Sequence, residues 1–220
     1  GLMRVVNLAH GAFAMIGGYL ASYAAHGLGL GYAAAILGAI VGTIVIAIPP
    51  ERFLYRRIYG APELTQVLMT IGITFCIIGI ANFVFGPTLK TIPLPQELAG
   101  PTDLGFRTIA THRIFAIVAG LVVAAALWFT FEKTAFGIKL RAAVDNAAMA
   151  AALGVRTEII YAVSFAIAVG LAAMGGVIGA ELLPVEPYYA LRYMVTFLVV
   201  VSVGGAGSIS RSLLACRRLG

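Results

Sequence analysis

Charged residues are missing from five long stretches of the chain: between Arg4 and Glu51, and from Leu64 to Leu89, Ile114 to Phe131, Ile159 to Ala180 and Tyr193 to Ser210. A helix needs about 20 mainly apolar residues to cross the hydrocarbon of a bilayer. A charge at its centre costs about 2.5–3.5 kcal/mol on insertion scales. The first stretch has room for two crossings and each of the others for one. Within the stretches hydrophobic positions do not alternate, as in AIVAGLVVAAAL from Ala116 to Leu127. Barrel strands would alternate, and only helices and closed barrels satisfy every backbone group in lipid. The pattern therefore predicts an all-α, polytopic transmembrane helical bundle with about six spans, over 6–26, 29–49, 65–86, 113–131, 159–180 and 192–209. The glycine-rich stretch 26–31 is a turn between the first two. Pro49-Pro50 is predicted to end the second, because proline lacks an N–H and disfavours helix in the residue before it. The chain reads as a single transmembrane domain over 1–220, with one long polar loop over 132–158 and another over 86–112.

Composition agrees: 61% of the 220 residues are hydrophobic, 11% are charged and the mean hydropathy is +1.00, which no ordinary soluble domain shows. The net charge of +6 sits in short loops, so it points to membrane orientation and not to nucleic acid. One side of the six-span topology receives Arg4, Arg52, Arg56, Arg57, Lys133, Lys139, Arg141, Arg156, Arg211, Arg217 and Arg218. The other receives Lys90, Arg107, Arg113 and Arg192. By the positive-inside rule the first side, with both ends of the chain, is cytoplasmic. The loop over 86–112, with Pro87, Pro93, Pro95 and Pro101, is then external and extended. The loop from Glu181 to Ala190 is expected to carry a partial helix at the interface. Gly38 with Gly42 and Gly175 with Gly179 are spaced for close helix packing. Cys76 and Cys216 have no metal-ligand spacing, and no disulfide is expected.

Two segments hold candidate chemistry. The first is EKTAFGIKLRAAVDNAAMAAALGVRTE, Glu132 to Glu158, too polar to span yet rich in helix formers. On one helical wheel Leu140, Val144, Ala147 and Ala151 share a face, opposite Asp145, Asn146, Met149 and Leu153. Arg141 and Asp145 are spaced to pair, and Gly154 is placed to end the helix. From its residues alone the segment is either an ordinary interfacial helix or a docking helix for a cytoplasmic partner. The second is RVVNLAHGAFAMIGGY, where Asn7 and His10 fall on one helical face beside Gly11, with Gly17 and Gly18 positioned to ease bending. Polar groups inside a span either bond between helices or line a path. Thr70 and Thr74, four apart, are expected to bond backbone carbonyls and are also candidates for that path. The spans carry no carboxylate for proton coupling, and the chain has no G-x-x-x-x-G-K-[ST], H-E-x-x-H or G-x-S-x-G motif.

Four stretches in order resemble the permeases of branched-chain amino acid ABC importers of the LivH type. They are the opening GLMRVVNLAHGAFAMIGGYLA, ERFLYRRIYGAP from Glu51, FGIKLRAAVDNAAMAAALGV from Phe136, and VVSVGGAGSI from Val200. The resemblance implies a permease subunit that imports branched-chain amino acids, or related amino acids, amides or urea. It implies a bacterial inner membrane and three kinds of partner: a second permease subunit, two cytoplasmic ATPase subunits that hold ATP and magnesium, and a periplasmic substrate-binding protein. This chain itself would be no enzyme and would bind no cofactor, metal or nucleic acid. The coupling residues would be Arg141, Asp145, Asn146, Ala148, Met149, Leu153 and Gly154. A path would draw on Asn7, His10, Gly11, Thr70 and Thr74. Three features depart from the family pattern. The chain opens where a first membrane helix would already be complete, it carries Asp145-Asn146 where many members have an acidic residue and proline, and its tail over 210–220 is SRSLLACRRLG. It is therefore expected to be a fragment of a longer permease, truncated or frame-shifted at the end. The alternative from another class is a stand-alone secondary transporter or channel for small polar solutes, which would move solute without an ATPase.

Overall fold

The computed structural model describes residues 7–59, 61–95, 98, 100–103, 108–180 and 184–204, with backbone alone at 63, 102, 103, 108 and 197–204. It is a helical bundle: α1 (His10–Gly27), α2 (Tyr32–Pro50), α3 (Arg56–Ile58), α4 (Glu63–Phe85), α5 (Thr111–Lys133), α6 (Ala135–Asp145), α7 (Ala147–Ala152), α8 (Thr157–Gly179) and α9 (Tyr189–Gly204). A short antiparallel hairpin, β1 (Pro101–Asp103) with β2 (Thr108–Ala110), pairs Pro101 with Ala110 ahead of α5.

Four described helical segments are long and apolar enough to cross a membrane: Tyr32–Ile58, Leu64–Phe85, Thr111–Lys133 and Thr157–Gly179. This is fewer than the six expected. The predicted first span is α1, which starts at His10 and is rich in Gly, Ala, Tyr and His. Its many Gly, Tyr and His residues make it less apolar than those four segments, and it lies in the middle of the bundle, packed on α2, α4, α8 and α9, with Ala12, Phe13, Met15 and Tyr19 almost fully buried. A helix shielded by other helices has no need of a lipid-facing surface. The predicted last span is α9, described over Tyr189–Gly204; its predicted end, 205–209, lies outside the described residues.

Pro49-Pro50 does not stop the second helix. The chain passes through both prolines into a π-helical turn, Glu51–Tyr55, and on through α3. Two successive residues without an N–H leave carbonyls without their usual partners. The Glu51 N–H still reaches the Ala47 and Ile48 carbonyls, four and three residues back, and the wider turn lets the Arg56 N–H reach back five residues to the Glu51 carbonyl.

Helix packing is closest between α1 and α8, but not at the glycine pairs expected from spacing. Gly38, Gly175 and Gly179 face open space, and Gly42 meets only the tip of Leu20. The crossing is made instead by Gly17 and Gly176. A Cβ on Gly17 would sit 2.5 Å from the Ala173 Cα, and one on Gly176 would collide with the Ala14 carbonyl. Gly17 and Gly18 do not interrupt α1, which is continuous from His10 to Gly27.

The loop ends of α1, α2, α4, α5, α8 and α9 gather at one end of the bundle. There Ser22 Oγ donates to the Thr91 carbonyl at 3.0 Å, Tyr19 stacks on Phe85, and Tyr32 meets the Phe115 ring. The segment before α9 is not a partial helix at its described residues: Val185 forms a bridge with Lys90, and 181–183 lie outside them. The opposite end holds α3, α6 and α7, and with them Arg52, Arg56, Arg57, Lys133, Lys139, Arg141 and Arg156. Arg4, Arg107, Arg211, Cys216, Arg217 and Arg218 lie outside the described residues.

Candidate functional site

At the basic end the polar loop folds as two short helices instead of one. Asn146, with φ −152° and ψ 94°, breaks the run, and its Oδ1 accepts the Met149 N–H at 3.0 Å. It is an N-cap. The break resets the helical phase, so the single wheel fails: Leu140, Ala143 and Ala150 face inward, while Ala147 and Ala151 are exposed. Asp145, Ala148, Met149 and Leu153 are exposed as expected, with Met149 at 60% and Leu153 at 78%. Gly154 closes α7. Its φ of +85° permits the Gly154 N–H to reach the Ala151 carbonyl and the Val155 N–H to reach the Ala150 carbonyl, a Schellman ending. Arg141 does not pair with Asp145. It turns back to the end of α5, where Nη1 donates to the Phe131 carbonyl at 2.6 Å and lies 3.8 Å from Glu132. Its job is to fold α6 against α5.

The path candidates lie where α1, α4 and the π-turn meet. Asn7 precedes α1 and does not share a helical face with His10. Its Oδ1 accepts the Ala9 N–H at 3.0 Å and the Tyr55 hydroxyl at 3.0 Å. Thr70 Oγ1 donates to the Val67 carbonyl and accepts the Leu8 N–H at 3.3 Å; Thr74 Oγ1 donates to the Thr70 carbonyl at 2.8 Å. Both threonines are buried, as is Gly11, whereas His10 is exposed. Asn7 and Thr70 thus flank one chain entry into α1.

Sequence reasoning passed over the residues that join these two regions. Glu51 is a buried carboxylate held by Arg56 Nε at 3.5 Å, and Arg56 Nη1 reaches Glu158 at 3.1 Å. Tyr161 Oη donates to the Ala143 carbonyl at 2.7 Å. Burial first, and then the Glu51 charge, hold the Tyr59 phenol well above its ordinary pKa, so it stays neutral. A carboxylate next to a double proline at a span's end was the available signal. Among the described residues no His, Cys, Asp and Glu group could hold a metal.

A family profile described as the permease component of the branched-chain amino acid transport system matches residues 1–216. The chain belongs to this permease family. The permease is 25% identical over 234 residues to the high-affinity branched-chain amino acid transport system permease LivH of Escherichia coli strain K12, covering 100% of this chain and 75% of the relative. It is 26% identical over 232 residues to BraD, a permease of the same description from Pseudomonas aeruginosa, covering 100% and 76%. A shorter likeness, 36% over 86 residues, joins it to the autoinducer 2 import system permease LsrC of Salmonella paratyphi B, covering 39% and 23%. No solved structure matches the permease. It is a transport subunit of membrane-crossing helices.

Proposed function

We propose that the chain is the permease subunit of an ABC importer for branched-chain amino acids or related amino acids, amides or urea, in a bacterial inner membrane. A second permease subunit, two cytoplasmic ATPase subunits holding ATP and magnesium, and a periplasmic binding protein complete it. The observation that carries the reading is the α6–α7 surface. It is an exposed apolar knob, Met149 with Leu153, flanked by Asp145, Asn146 and Ala148 and fixed in shape by the Asn146 cap and the Gly154 ending. A knob of this kind fits a groove in a soluble partner. The end bearing it also holds most of the described basic residues, which supports a cytoplasmic orientation and cytoplasmic chain ends.

In this reading ATP binding draws the ATPase subunits together and displaces α6 and α7. The bundle then tilts between two openings around its site. His10, exposed at the start of α1, faces the path. Asn7, Gly11, Thr70 and Thr74 shape its wall from behind. Co-expression with the candidate ATPase subunits tests the proposal. The unaltered chain should retain them through purification, and Met149→Asp with Leu153→Asp should release them while leaving the amount of inserted permease unchanged. Retention by the double variant would overturn the docking assignment.

A further inference from the structure

The coupling surface touches one face of α8 as well as the end of α5. Glu158, Tyr161 and Phe165 fall at positions i, i+3 and i+7, so they share that face. Each meets a residue from the end of the second membrane helix: Glu158 bonds Arg56, the Tyr161 ring lies 5.2 Å from that of Tyr59, and the Phe165 ring lies 4.6 Å from that of Tyr55. The three rungs span the junction between α8 and the π-turn with α3. Two rungs of this ladder are also tied by hydroxyls. At the middle rung Tyr161 Oη donates to the Ala143 carbonyl. Because α6 ends at Asp145, that carbonyl is one of the four at a helix C-terminus with no partner inside the helix. At the Phe165 rung Tyr55 Oη donates to Asn7 Oδ1, the group that also accepts the Ala9 N–H just ahead of α1.

We infer that the Tyr161–Tyr59 and Phe165–Tyr55 contacts, with the Arg56–Glu158 pair, form the mechanical link that carries displacement of α6 and α7 to the π-turn and the start of α1. Tyr161 is its principal positioning residue. The inference rests on the docking reading above. The π-turn is the part able to yield, since Pro49 and Pro50 just before it donate no hydrogen bonds to the preceding turn. The ladder grips it on the face turned to α8.

The test uses the full importer, permease with its ATPase subunits and binding protein, in liposomes, and measures substrate molecules taken up per ATP hydrolysed. Tyr161→Phe keeps the ring and removes only the tie to Ala143. Assembly should be retained, and the uptake-to-hydrolysis ratio should fall about five-fold, the scale of one net hydrogen bond. A purely structural role would lower the yield of complex without moving the ratio. Glu158→Gln, at a carboxylate whose side chain is 77% exposed, perturbs the neighbouring rung with no burden on folding. Its ratio should fall about two-fold, as for a weak surface pair. Wild-type ratios in both variants overturn the link. Failure of the unaltered chain to hold an ATPase overturns the docking reading, and the link with it; firm binding with unchanged ratios overturns the link alone.

Discussion

Individual side chains at the α1–α8 crossing leave almost no latitude. Gly176→Val would drive a branched side chain into the Ala14 carbonyl. Overpacking of this kind costs about 1–3 kcal/mol, so the purified protein should show a lower midpoint in a detergent thermal-aggregation assay. Gly179→Ala, three residues on and facing open space, should leave the midpoint unchanged. Spacing alone pointed to Gly179 and missed Gly176, because a four-residue glycine pair marks a possible contact without saying which side of the helix has a neighbour. Asn7 shows the same limit. Its amide was legible as a polar group at a helix start, but its partner, Tyr55, lies 48 residues away. Asn7→Leu and Tyr55→Phe each remove that bond. In a double-mutant cycle on thermal stability they should therefore be non-additive.

Elements were legible to the extent that local chemistry decides them. The charge-free runs located the membrane helices, and Gly154 located the end of α7. The break at Asn146 was misread. A wheel drawn through Asp145-Asn146 assumes one continuous helix, yet asparagine is among the best N-caps and ends one helix by starting the next. Asn146→Ala should cost about 1 kcal/mol of local stability. It should be read as faster hydrogen exchange at the Met149 amide, whose acceptor it removes. Pro49-Pro50 was misread for a related reason. Proline forbids particular hydrogen bonds, but a π-turn recovers others, and burial of Glu51 and Tyr55 keeps the chain helical. No local rule reports that burial.

The whole molecule sorts its charges by end, and this was legible from the order of runs and loops. Orientation is a separate matter with its own test. A single cysteine replacing exposed Leu153, in a chain with Cys76 and Cys216 changed to serine, should react with a membrane-impermeant thiol reagent only after cells are opened. Labelling in intact spheroplasts would reverse the assignment. What the sequence did not disclose was which helix lies inside. Hydropathy ranks helices by their suitability for lipid, and α1 ranks low, while its neighbours take the place of lipid.

That placement bears on how the chain is made. α1 leaves the ribosome before every other described helix, with small and polar surfaces poorly suited to acyl chains. α2 follows it at once, but α8, its closest companion, begins well over a hundred residues later, and α9 later still. During synthesis the future centre of the protein therefore waits uncovered beside the insertion machinery. Among the described helices, the later ones translated complete its shelter.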